Sequence, residues 1–159
     1  MKKSLKTLAV AMLIGLMAGI CGCGSKADGL FQELEWGTSY EQAEAAVTEK
    51  TGTAPEGNAD CSRLNLAEEN YLGVEGVQGR VEYSFQEKLL NEVFVYLEFD
   101  ENAFTNDEIM NRYTEILGES FGKPSKETKE EKIWKLGKSE VHLANFSYGV
   151  LVLDYKPKN

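Results

Sequence analysis

Covalent or metal chemistry in this chain could come from few side chains: Cys21 and Cys23 two residues apart, a separate Cys61, and a single histidine, His142. Cys23 has the strongest context. Lys2, Lys3 and Lys6 open the chain and an uncharged run follows from Leu8 to Ile20, the charged-then-apolar layout of an export signal. As a helix that run rises only about 20 Å, short of the roughly 30 Å hydrocarbon core, so it reads as a signal and not as a membrane span. Gly22 directly before Cys23 leaves the bond to be cut unobstructed, and the Cys23 thiol is the expected carrier of diacylglycerol. Cys21, with branched Ile20 directly before it, is the weaker acceptor. The expected layout is a lipoprotein signal peptide over 1–22, a lipidated tether over 23–29 and one folded domain over 30–159.

The remaining reactive types lack partners. With Cys21 cleaved off and Cys23 acylated, Cys61 has no disulfide partner and reads as a small, partly buried side chain; a thiol nucleophile is the competing reading. His142 lies in a strand pattern without the companions of a zinc site or a Ser-His-Asp arrangement. Gly73, Gly76 and Gly79 recur every third residue but lack a phosphate-loop lysine, and read as bends or bulges between strands. Asp100 and Asn102 begin a calcium-loop pattern that Phe104 breaks. The adjacent pairs Glu68-Glu69, Asp107-Glu108 and Glu130-Glu131 point in different directions on any regular element, and read as solvated charge. No catalytic residue, metal site or cofactor is expected, and the chain reads as a non-enzyme.

Charge narrows the partners. The 159 residues hold 17 Lys and Arg against 26 Asp and Glu, a net charge of −9, and loss of the first 22 would remove three lysines and no acid. Such a chain is long enough for one continuous core. Its sign repels nucleic acid and anionic headgroups, leaving a basic protein partner or a cation as compatible ligands, with the membrane reached through the lipid on Cys23.

Period and punctuation set out the elements. Thr38 with Glu41 three residues on has the capping-box form and predicts a helix over about 39–51, ended by Gly52. Residues 52–62, with Pro55, Gly57, Asn58 and Asp60, read as a loop. Leu64 and Leu66, then Val81, Tyr83 and Phe85, then Val93, Val95, Leu97 and Phe99 alternate with other residues at period two, predicting three strands, the last two a hairpin. Thr105 and Glu108 repeat the capping box ahead of Ile109, Tyr113, Ile116, Leu117 and Phe121 at helical spacing, and Gly122 and Pro124 stop that helix. Three more strands follow around Ile133–Leu136, Val141–Phe146 and Val150–Tyr155, after a charged loop over 125–131. The expected fold is α+β: two helices packed on one face of a mostly antiparallel sheet of about six strands, in an αβββ-αβββ layout consistent with duplication.

The run Trp36-Gly37-Thr38-Ser39-Tyr40-Glu41-Gln42 into a helix, and Leu117-Gly118 with Phe121-Gly122-Lys123-Pro124 closing a second helix before a Trp-bearing strand, resemble small bacterial lipoproteins of the SmpA/OmlA (BamE) and β-lactamase-inhibitor-protein-like superfamily. The resemblance covers most of residues 31–155. It implies a non-enzymatic protein of the bacterial cell envelope, lipid-anchored on the extracytoplasmic side, that presents a sheet face or loops to another envelope protein. Inhibition of an envelope or secreted enzyme is the alternative it raises. Phe94, Tyr96, Trp134 and Tyr148 are the expected protein-binding aromatics, because Phe94 and Tyr96 stand opposite the core face of their strand, where a solvated sheet is polar.

Overall fold

The computed structural model describes residues 28–158; Cys21, Cys23, the signal-like run and most of the tether lie outside them. From the helix start the chain runs α1 (Tyr40–Thr51), β1 (Glu56–Gly57), β2 (Arg63–Glu68), β3 (Val77–Gln86) and β4 (Leu89–Phe99), then α2 (Asn106–Phe121), β5 (Lys126–Glu127), β6 (Glu131–Lys135), β7 (Ser139–Ser147) and β8 (Val150–Pro157). All eight strands form one sheet in the order β1-β2-β3-β4-β8-β7-β6-β5, and every neighbouring pair is antiparallel. Each half is a helix followed by four strands, and the last strands of the halves, β4 and β8, meet at the centre.

The fold is therefore α+β with two helices and an antiparallel sheet, but the sheet has eight strands and not about six. The two additions are β1 and β5, each only two residues long and at the sheet's outer edges. Glu56-Gly57 and Lys126-Glu127 carry no apolar alternation, so only backbone pairing makes them strands. Short, polar edges of this kind also discourage pairing with another chain.

The helix α1 starts one residue later than the Thr38–Glu41 pair predicts. Ser39 is its N-cap: Gln42 N donates to Ser39 Oγ at 3.3 Å and Ser39 N to Gln42 Oε1 at 3.4 Å. The cause lies upstream. Gly37 N donates to Leu90 O (2.8 Å), Leu90 N to Thr38 O (2.8 Å) and Tyr40 N to Lys88 O (3.0 Å), so the chain stays extended through residue 39. Gly52 closes the helix at φ +72°, a left-handed position that suits glycine. The second helix begins as read, with Thr105 N donating to Glu108 Oε2 (2.8 Å) and Glu108 N to Thr105 Oγ1 (3.3 Å).

Both helices and the lead-in cover one sheet face. Ile109, Met110, Tyr113 and Leu117 of α2 are buried and Ile116 is partly so; from α1 come Tyr40, Ala43 and Val47. Between them Phe31 sets its ring edge-on to Tyr83 (ring centroids 5.7 Å apart) and to Tyr155 (5.0 Å). Gly79 faces the same side, where the Tyr71 ring occupies the space a Cβ would fill. Burial pushes the hydroxyls of Tyr83, Tyr113 and Tyr155 well up, which keeps them neutral. At one end of the sheet Lys138 N donates to Asp28 O (3.0 Å) and Gly29 sits against Leu136 and Ser139, so the chain enters beside the β6–β7 turn.

Candidate functional site

Facing away from the helices, the other sheet surface is assembled from the residues that alternate with the core. One register line crosses it as Glu82, Phe94, Asp154, His142 and Ile133; the next runs Ala67, Arg80, Tyr96, Val152, Ala144 and Glu131. At the centre Phe94 and Tyr96 are half-buried, with ring centroids 6.3 Å apart, and Phe146 meets Tyr96 edge-on at 5.8 Å. Phe146 is 66% exposed, and Tyr148, at the tip of the β7–β8 hairpin, is 74% exposed. The aromatics thus form a line from mid-sheet to hairpin tip.

The segments able to cover this line lie elsewhere. Phe31 and Trp36 of the lead-in pack with the core on the helix side, and so does Cys61 of the 52–62 loop. Trp134 does not belong to the surface. It is 1% exposed, donates from Nε1 to Gly122 O (2.9 Å) and packs against Phe121. Its cross-strand partner is core-facing Val141, so its neighbour Ile133, paired with His142, takes the outer side. Phe146, by contrast, joins the outer surface: it stands five residues after Val141 and three after Leu143, on the opposite parity from both.

Ion pairs frame the line. Arg80 lies 4.4 Å from the Tyr96 ring centroid and 3.1 Å from Glu98, a cation held between π-face and carboxylate. Arg63 pairs with Glu82 (3.6 Å) and Lys156 with Asp154 (3.6 Å). Next to them Glu92 is pushed above the usual carboxylate range, first by burial and then by the Asp154 carboxylate. Asp154 Oδ1 is buried without a hydrogen-bond donor.

His142 sits between two carboxylates, its Nε2 2.6 Å from Glu140 Oε1 and its Nδ1 3.2 Å from Glu131 Oε1. Lys126 stands 3.0 Å from Glu131 and Lys135 3.8 Å from Glu140. Bonding to Lys126 and then to His142 holds Glu131 low, while bonding to His142 does so for Glu140. Among the described residues no hydroxyl or thiol side chain hydrogen-bonds to His142 and no group of three His, Cys, Asp or Glu is placed to hold a metal ion. Cys61 is half-buried at φ +55°. Asp100 turns its carboxylate onto Asn102 N (2.9 Å), which holds it below the usual range.

A shallow recess beside the end of α2, lined by Thr114, Glu115, Gly118, Lys123 and Glu127, holds no nucleophilic cysteine or histidine. No described helix is long and apolar enough to cross a membrane. Compared with protein families, characterised proteins and solved structures, the chain matches none.

Proposed function

We propose that this chain is a lipid-tethered protein of the bacterial envelope, held through Cys23 on the extracytoplasmic side, whose folded domain binds another protein without catalysis. The observation that supports the reading is the aromatic line Phe94–Tyr96–Phe146 on the sheet face opposite both helices. Aromatic side chains are among the residue types on which protein interfaces concentrate their binding energy, and the flanking ion pairs supply a polar rim.

The test is recovery of partners from the native envelope. Phe94→Ala with Tyr96→Ala should abolish recovery of a partner while the thermal midpoint stays near that of the wild type; an unchanged partner list would sink the reading. Exposure of Tyr148 at a hairpin tip favours a second reading, insertion into an enzyme cleft as an inhibitor. Loss of an envelope enzyme's inhibition in Tyr148→Ala, with stability intact, would select it.

A further inference from the structure

Two acidic residues of the distal end, where α2 begins and β7 turns into β8, differ from those on the sheet. On the sheet, Glu82, Glu98, Glu131 and Glu140 each stand beside a lysine or arginine. At the distal end Glu101 runs alongside Gly149, and Glu130 accepts from Asn145 Nδ2 at 2.6 Å. Neither has a cation within ion-pair distance among the described residues. Between these two carboxylates project Phe146 and Tyr148, the two most exposed large apolar side chains of the described domain.

This tip is held rigidly. Asn106 Nδ2, at the first turn of α2, donates to Ser147 O (3.0 Å) and Asn145 Oδ1 (3.2 Å). Asn106 Oδ1 accepts from Gly149 N (3.1 Å), and Phe99 N donates to Gly149 O (3.1 Å). A hairpin fixed from two sides loses little freedom on binding.

We infer that the distal hairpin docks a basic segment of a partner protein, whose lysine or arginine side chains meet Glu101 and Glu130 while its apolar side chains cover Phe146 and Tyr148. The inference rests on the protein-binding reading above and names the chemistry of the partner. Charge selects this occupant. A second copy meeting the tip through the same surface would set carboxylate against carboxylate, and an anionic lipid surface would be repelled in the same way. At the distal end Lys129 is engaged with Asp107 (3.8 Å), while Lys88 in the β3–β4 turn and Lys158 after β8, neither in an ion pair among the described residues, lie at the other end.

The experiment uses the full-length, isotope-labelled protein in zwitterionic detergent, titrated with an acetylated, amidated peptide of alternating lysine and leucine. A matched peptide with glutamate in place of lysine is the control. Expected are amide shifts confined to Asn145–Val150, Glu101 and Glu130 with the lysine peptide and none with its control. Affinity should fall about tenfold as salt rises from about 0.05 to about 0.5 M. Glu101→Lys with Glu130→Lys should remove the shifts while keeping the wild-type spectrum elsewhere. Equal shifts with both peptides, shifts centred elsewhere, no shifts, or concentration-dependent broadening of the tip without peptide would each overturn the inference. Should Phe94→Ala with Tyr96→Ala abolish recovery of an envelope partner that the double charge reversal still recovers at full strength, the binding reading stands and the basic-segment inference falls.

Discussion

Tyr113 Oη donates a 2.8 Å hydrogen bond to the backbone carbonyl of Tyr71, joining the middle of α2 to the turn between β2 and β3. The two rings stack at 6.4 Å and both side chains are buried. Tyr113→Phe keeps the ring but leaves a buried carbonyl without this donor, at a cost of about 1 to 3 kcal/mol. Leu117→Ala, on the same buried face, should cost about 2 to 5 kcal/mol. Urea unfolding measures both, and a loss below about 0.5 kcal/mol for Leu117→Ala would place that helix face in solvent.

Two glycines should respond to alanine with opposite signs. At Gly79 the Tyr71 ring stands where the methyl would go, so Gly79→Ala must displace a packed aromatic and should destabilise by about 1 to 3 kcal/mol. Around Gly118, in the body of α2, there is open space, and Gly118→Ala should stabilise by about 0.5 to 1 kcal/mol through better helix propensity. Thermal melts of the two variants check the signs.

Two carboxylates on the outer sheet face should give stability opposite pH slopes. Glu140 is held below its ordinary value of 4.5, so its contribution is full above that value and is lost as pH falls through the folded pKa. Glu92 is raised above 4.5, so its contribution is full below 4.5 and lost as pH rises through the folded pKa. Glu92→Gln should therefore gain stability over the wild type at neutral pH, a gain that disappears in acid, and Glu140→Gln should lose it at neutral pH. Denaturant midpoints from about pH 3 to about pH 8 test this; parallel curves for the two variants would contradict it.

Cys23→Ser should abolish acylation and release the protein from the membrane fraction. Metabolic labelling with a palmitate analogue reads the first effect and fractionation the second. Retention of lipid at the wild-type level would move the attachment site away from Cys23.

The parts of the fold governed by local rules were legible. Thr105 and Glu108 with the apolar spacing behind them placed α2, and alternation placed β3 and β4. The first helix slipped by one residue because long-range pairing to Leu90 and Lys88 extends the chain through Ser39, which no local pattern encodes. The edge strands β1 and β5 are made by backbone pairing alone. For the candidate site, Phe94 and Tyr96 followed from parity, and Tyr148 is exposed at a hairpin tip. Trp134 is buried and Phe146 exposed because the side of the strand, and not aromatic character, decides which rings reach the surface. Counting from Val141 assigns Phe146 to the outer face, and cross-strand pairing with Val141 assigns Trp134 to the core.

The entry of the chain beside the β6–β7 turn sets a height. Asp28 is bonded at Lys138, and β7 then runs nine residues from Ser139 to Ser147 before Tyr148. At about 3.3 Å per residue the hairpin tip stands about 30 Å from the point of attachment. With a lipid on Cys23 and the strands standing upright on the bilayer, the tip would clear the surface by more than three screening lengths at physiological salt. Headgroup charge does not reach that far, so in that orientation an acidic tip would be displayed above an anionic membrane without opposing its own mooring.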